Sequence, residues 1–368
     1  MLLYITRKFP PSIGGMQRFN YKLSCYLRKT KDFHIISWGG SQLFLPLFLI
    51  TAFLKTFYYC IFKNVNCIYI SDGLLSPFGL VLKKMFCLPV VGTVHGRDIA
   101  FNNKIYQKLV PWSLKRLDKI LCVSSKLEKE CIKRKIPEHL IEVIPNGIDI
   151  EDFECKVTPA HISHFESLAQ TSFEKKRILI TVGRLVPKKG IHSFLTNILP
   201  LVLKKNPGVI YLIVGDGPLE AEIRRIINDR QLGEHAFLVG KVNMDSHLLP
   251  VVYKMADIFV MPNIPVDNDL EGFGIVALES CASGKPVIAS KVDGIPDAIK
   301  DGENGILIQH ADYSCFSDKI LELLENHGAY REISQKCKQY VAEHYSWEKI
   351  ASQYWNIFNA LVEQKNRH

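Results

Sequence analysis

Apolar runs of four to six residues, rich in Val, Ile and Leu, alternate with longer helical stretches along almost the whole chain. Runs that short and uniformly apolar are strands covered on both faces, and alternation with helices makes the sheets parallel. Six such strands are read at 2–6, 33–38, 67–70, 90–93, 119–123 and 141–144. After the turn signal Asn146-Gly147 the pattern lapses over roughly residues 150–176, a polar stretch containing Pro159. It restarts at 177–182, 210–214, 236–239, 258–261, 286–289 and 305–308, and three helical stretches follow near 312–326, 329–344 and 347–363. A chain of 368 residues is long enough for two domains that each bury a core. The expected class is therefore α/β, two Rossmann-like doubly wound parallel-sheet domains with ligands in a cleft beyond the carboxyl ends of the strands.

Apolar residues at 47% and charged residues at 23% are those of a globular protein, neither disordered nor polytopic. The ten Cys have no paired CxxC spacing, which fits reduced thiols in a cytoplasmic protein better than a disulfide framework or a zinc site. The opening Met-Leu-Leu-Tyr-Ile-Thr reads as a first strand and not as an export signal. Residues 1–170 carry 23 Lys+Arg against 13 Asp+Glu, whereas 171–368 carry 23 against 24, so the whole positive excess lies in the first half. Such a surface suits an anionic membrane, a phosphate-bearing acceptor or nucleic acid, or is simply solvated. Residues 43–62 are almost wholly apolar, interrupted by Pro46 and Lys55. They read as a helix of the first domain, buried or membrane-facing, rather than as a span, and partial insertion into a bilayer surface stays open.

The stretch Asp267 to Glu279 holds Glu271-Gly272-Phe273-Gly274-Ile275 and then a helix start. Gly272 and Gly274 allow a tight turn, and the free amides at the start of a helix receive phosphate oxygens. Glu271 and Glu279 are spaced as two helical turns, so both carboxylates can address one cleft and accept sugar hydroxyls; alternatively Glu271 is a cap and Glu279 an exposed helical side chain. Gly183-Arg184-Leu185-Val186-Pro187-Lys188-Lys189-Gly190 follows a strand and puts Arg184 and Lys189 where a leaving diphosphate can be neutralised, unless the loop is only a solvated basic turn. Val214-Gly215-Asp216-Gly217-Pro218 is a weak dinucleotide signal, and Ser283-Gly284-Lys285-Pro286 is no P-loop. In the first half Gly14 and Gly15 stand at the start of a helix that runs through Thr30, and a strand leads to His95-Gly96-Arg97-Asp98.

In this order along one chain, these motifs, with Asn146-Gly147-Ile148-Asp149 and Gly294-Ile295-Pro296, resemble the retaining glycosyltransferases of family 4, which have the GT-B architecture. The resemblance covers nearly the whole chain. It implies that Glu279 binds ribose, Glu271 the donor sugar, Arg184 and Lys189 the diphosphate, that Gly15 touches the diphosphate from the other domain, and that His95 contacts the transferred sugar. Gly14, Gly183, Gly215, Phe273, Gly274 and Ile275 complete the expected donor site. It also implies catalysis without a bound metal; Asp267-Asn268-Asp269 has the spelling of a metal motif but lies in the loop that carries Glu271. Asn263 and Asp293 depart from the family pattern at positions not assigned to chemistry. The domains are expected at 1–165 for the acceptor and 166–345 for the nucleotide sugar, with a C-terminal helix over 346–368 packing back towards the first.

The expected activity is transfer of a hexosyl group, with retention, from a UDP- or GDP-linked sugar to a glycan or lipid-linked acceptor in envelope polysaccharide or glycolipid synthesis. No cofactor is expected, since the nucleotide sugar is a co-substrate. An anionic membrane surface is an expected partner and nucleic acid is not. The competing readings are an epimerase or phosphorylase of the same fold and a non-catalytic donor-binding subunit.

Overall fold

A computed structural model describes residues 1–29, 33–242 and 248–367. Thr30, where the sequence reading ends the first helix, lies outside them. The chain forms two compact units, unit 1 comprising Met1–Gly147, Asn268–Phe273 and Trp347–His368, and unit 2 comprising Ile148–Asp267 and Gly274–Ser346.

Unit 1 is built on a parallel sheet of β1 (Leu2–Thr6), β2 (Phe33–Ser37), β3 (Cys67–Ile70), β4 (Val90–Val94), β5 (Lys119–Cys122) and β6 (Ile141–Val143), in the order β2-β1-β3-β4-β5-β6. Each strand starts where the apolar runs predict and ends within a residue of them. All five residues of β1 and all of β3 and β4 are buried, as strands covered on both faces must be. Helix α1 (Gly15–Arg28) joins β1 to β2, and α2 (Leu45–Phe62), α3 (Ser76–Phe86) and α4 (Lys104–Leu114) make the crossovers to β3, β4 and β5. Helix α5 (Ser125–Lys133) precedes β6. Only the first of these crossovers moves leftward in the strand order, so right-handed connection puts α1 on one face of the sheet and α2, α3 and α4 on the other.

Unit 2 contains α6 (Pro159–Ala169), β7 (Arg177–Val182), β8 (Val209–Val214), α7 (Glu220–Asp229), β9 (Ala236–Gly240), α8 (Leu248–Met255), β10 (Ile258–Met261), α9 (Ile275–Ala282), β11 (Val287–Ser290), β12 (Ile306–Ile308), α10 (Tyr313–Glu325) and α11 (His327–Tyr345). Its sheet has the order β12-β11-β10-β7-β8-β9, all parallel. The order reverses between β7 and β10, and in unit 1 between β1 and β3. At such a reversal the loops leaving the two strands diverge and open a crevice at the carboxyl edge.

The division of the chain differs from the sequence reading in two places. Unit 1 leaves off at Gly147 and not at 165, because α6 packs on β9 and α8 of unit 2. That helix buries only Phe165 and Ala169, too narrow a stripe to stand out in a polar stretch. Residues 268–273 group with unit 1, although the elements before and after them belong to unit 2.

The final helix, α12 (Trp347–Asn366), belongs to unit 1. Trp347, Ile350, Tyr354 and Phe358 enter one core with Phe19, Leu23 and Leu27 of α1 and with Leu2, Tyr4 and Tyr69 of the sheet. The Tyr354 ring meets Tyr69 edge-on at 5.7 Å.

Candidate active site

The reversal point of unit 1 carries a network of charged and polar side chains. Arg7, just past β1, pairs with Asp72, just past β3, at 3.0 Å. Asn20 on α1 donates to Thr6 Oγ1 at 2.9 Å and to the Lys8 carbonyl at 2.7 Å, tying the helix to the loop that leads to Gly14 and Gly15. Gly15 opens α1 with no atom within 4 Å of where a Cβ would stand, and Gly14 caps the helix with no side-chain bond to its amides. The helix start is thus open beside Gly15, while the Gln17 side chain, which donates to Ser12 Oγ at 3.3 Å, lies over Gly14.

His95 follows β4. Its Nε2 lies 3.0 Å from the Ser71 carbonyl, and since a carbonyl only accepts, Nε2 carries the proton and Nδ1 is left as the acceptor. Burial lowers the imidazole pKa, against the opposing pull of Asp98 and Asp72, so the ring is neutral at pH 7. Phe19 stands edge-on to it at 4.7 Å. The turn after His95 is held by one buried carboxylate: Asp98 accepts from the amides of His95 at 2.9 Å, Gly96 at 2.7 Å and Gly73 at 3.0 Å. Burial raises the pKa of Asp72, partly offset by Arg7. The 268–273 segment runs along this turn, and a Cβ at Gly272 would strike the His95 carbonyl. Glycine at 272 is thus required by close approach.

In unit 2 the β7 loop lies at the reversal point. Gly183 is backed by Gly215, where a Cβ would strike the Gly183 carbonyl, so the loops after β7 and β8 touch backbone to backbone. Lys189 folds over the loop, with its Cε 3.4 Å from the position a Cβ on Gly183 would take. Gly190 has φ +64°, and a Cβ there would strike the carbonyl of Pro262, just past β10. The Ile264 amide donates to the Lys188 carbonyl at 3.0 Å, closing the β7 loop onto the β10 loop. Arg184 is exposed and, among the described residues, has no acid partner. A guanidinium and an ammonium placed together at the carboxyl edge of a parallel sheet can receive an anion.

Helix α9 starts at Ile275, capped by Gly274 at φ 91° with no side-chain bond. This corrects the register argument for the acidic pair. Residues 271–274 are not helical, so Glu271 and Glu279 share no helix face, and Glu271 falls in unit 1 while Glu279 falls in unit 2. Phe273 is buried rather than displayed to a ligand. Glu279 is not an exposed helical residue either: it is 3% exposed and accepts from the hydroxyl of Tyr253, itself fully buried, at 2.8 Å. Tyr253 and Asp98 each hold a candidate site residue in place, and no motif in the sequence announces either role. Tyr253 lies 26 residues from its partner on another helix. Among the described residues, no group of three or more His, Cys, Asp or Glu could hold a metal ion.

Two doubly wound units, the second with a basic loop at its reversal point, have the fold of the GT-B transferases. Among solved structures, Anabaena Alr3699/HepE in complex with UDP matches with a TM-score of 0.78 at 17% identity, covering 98% of this chain and 99% of its own. The sequence model of Glycosyltransferase Family 4 matches residues 18–152, and that of Glycosyl transferases group 1 matches residues 165–344. The chain belongs to the family 4 glycosyltransferases. An uncharacterized glycosyltransferase of Methanocaldococcus jannaschii is 28% identical over 310 residues, 82% of this chain and 77% of its own. A GDP-mannose-dependent monoacylated alpha-(1-6)-phosphatidylinositol monomannoside mannosyltransferase of Corynebacterium glutamicum is 25% identical over 97% of each chain.

Proposed function

We propose that this glycosyltransferase moves a hexosyl group from a UDP- or GDP-linked sugar to a hydroxyl of a glycan or lipid-linked acceptor, with retention of anomeric configuration and without a bound metal. The β7 loop carries the reading, because Arg184 and Lys189 bring two positive charges to the carboxyl edge of the unit 2 sheet. In this reading they hold the diphosphate together with Gly183, Gly215 and the first amides of α9 at Ile275, and Glu279 takes the ribose hydroxyls. The sugar is assigned to Glu271 and to the Nδ1 acceptor of His95, and the helix start at Gly14 and Gly15 supplies amides for phosphate oxygens. The relative that uses GDP-mannose and the similar structure that holds UDP support a nucleoside diphosphate donor, and the name of that relative supports a glycolipid acceptor.

No carboxylate is assigned as a nucleophile, so the reaction is written as a front-face displacement. The bond from the anomeric carbon to the phosphate oxygen breaks, the acceptor oxygen bonds to the same face, and its proton passes to the departing phosphate. Charge grows on the diphosphate as this happens, and preorganised cations there stabilise the transition state more than the ground state. Lys189→Ala should lower turnover by about 100- to 1000-fold while leaving the melting temperature near wild type. Transfer assays over a panel of UDP- and GDP-sugars test this, and an unchanged rate in the variant removes Lys189 from the mechanism.

A further inference from the structure

Helix α2 is apolar round almost its whole circumference, yet it meets unit 1 along a single stripe. Phe48, Ala52 and Thr56, at spacings of four, are its buried residues. Leu49, Phe53 and Tyr59 beside that stripe are half-buried, and the far side is exposed: Leu47 by 54%, Ile50 by 59%, Leu54 by 63% and Phe62 by 66%. The apolar surface continues across the same face of the sheet. Phe57 meets Phe86 of α3 at 6.0 Å, and α4, which packs on α3, exposes Ile105 and Trp112. A soluble monomer seldom leaves so large a contiguous apolar surface to water unless something covers it.

The charges around this surface choose the cover. Residues 33 to 117 contain nine lysines and arginines and only two carboxylates, Asp72 and Asp98, both of which are buried. The outer face made by α2, α3 and α4 thus offers cations among apolar side chains; the next acid along the chain, Asp118, is already paired with Lys83 of α3 at 2.9 Å. A second copy of the chain would bring like charge against like charge, with Lys55, Lys63 and Lys84 meeting no carboxylate of residues 33–117. A spanning helix would carry Lys55 in mid-membrane and tear Phe48, Ala52 and Thr56 out of unit 1. An anionic bilayer surface answers both properties: apolar side chains sink about 5–10 Å into the boundary of headgroups and acyl chains, and lysines reach back to the lipid phosphates.

We propose that unit 1 docks on anionic membranes through the outer face of α2, with Lys55, Lys63 at the end of α2 and Lys84 of α3 as its headgroup contacts, and without crossing the bilayer. The inference stands on this surface alone and is independent of the substrate reading. Sedimentation of the full chain with sucrose-loaded vesicles tests it. Vesicles of phosphatidylcholine with about 30% phosphatidylglycerol should bind at least about tenfold more protein than vesicles of phosphatidylcholine alone, and raising salt to about 0.5 M should release most of it. The triple reversal Lys55→Glu, Lys63→Glu and Lys84→Glu should weaken binding by about 100-fold or more, from about fivefold for each lysine removed. Ile50→Glu with Leu54→Glu should abolish it, and Leu54→Ser, a milder change at an exposed position, should weaken it while circular dichroism stays that of wild type. Equal binding to both vesicle types overturns the proposal, as does wild-type binding by the folded variants. So does a bound fraction that resists carbonate extraction, which would mean a span, or a solution dimer that Ile50→Glu with Leu54→Glu dissolves.

Discussion

Tyr253→Phe removes one oxygen atom and asks whether Glu279 is held in place by the fold. The ring keeps its neighbours, Phe153 at 5.9 Å and Phe259 at 5.7 Å, so packing is conserved and only the hydroxyl is lost. The bond that disappears is 2.8 Å long and joins two groups that are 0% and 3% exposed. Water cannot replace it readily, and a hydrogen bond to a buried carboxylate is worth about 1.5–3 kcal/mol. A chain of two units does not unfold as a single two-state system, so the readout must address unit 2 alone. Native-state hydrogen exchange at β7, β8 and β10 does so, and protection there should fall by about 10- to 150-fold. A double-mutant cycle with Glu279→Gln should return a coupling of at least about 1 kcal/mol, and nucleotide affinity should weaken up to about tenfold as the carboxylate loses its orientation. A coupling below about 0.5 kcal/mol with unchanged nucleotide affinity would refute the reasoning.

Two further outcomes follow from backbone geometry and from the His95 environment. Gly190→Ala forces a side chain into a left-handed backbone and against the Pro262 carbonyl, so it should destabilise unit 2 by about 3 kcal/mol or more; loss of exchange protection confined to unit 2 checks this, and protection within tenfold of wild type contradicts it. The lowered pKa of His95 means that below the ordinary value of about 6.5 the unfolded chain takes up a proton that the folded chain refuses. Stability from this source is therefore complete above about pH 6.5 and is lost as pH falls towards the depressed folded value. Asp72, whose pKa is raised, works in the opposite direction and is common to both proteins in the comparison. The melting temperature of wild type should then fall more steeply from pH 7 to 5.5 than that of His95→Gln, and parallel curves would show that the imidazole is not buried neutral.

The sheets were readable in the sequence because parallel strands covered on both faces must be short apolar runs, and a run such as 210–214, observed as Val209–Val214, is too short for a buried helix. The glycine-bearing loops were readable for a related reason, since Gly190 and Gly272 occupy positions that no other residue fits. The site's supporting contacts were not. Arg7 and Asp72 are 65 residues apart, and Asp98 reaches back to the Gly73 amide across 25; these pairs exist only because the strand order places β1, β3 and β4 side by side. The sequence also could not say which part of α2 would be covered. A helix that is apolar on every side has no stripe to mark its packing face, and the narrow contact through Phe48, Ala52 and Thr56 is set by the sheet beneath it. The spacing of Glu271 and Glu279 spans a turn that is not helical, so a helical period does not describe it.

The place of α12 in unit 1 governs the order in which the protein can mature as it is made. The helix that closes the core over Tyr4, Tyr69 and Leu23 leaves the ribosome only after all of unit 2. At ordinary elongation rates the roughly 200 residues between Gly147 and Trp347 take about 10–40 s to add. Throughout that interval the earlier-made unit presents an unfinished apolar surface, and by its end the later-made one has every segment its sheet needs. The second unit is thus the first able to fold to completion, and nascent unit 1 is the part of the chain that most needs protection from aggregation.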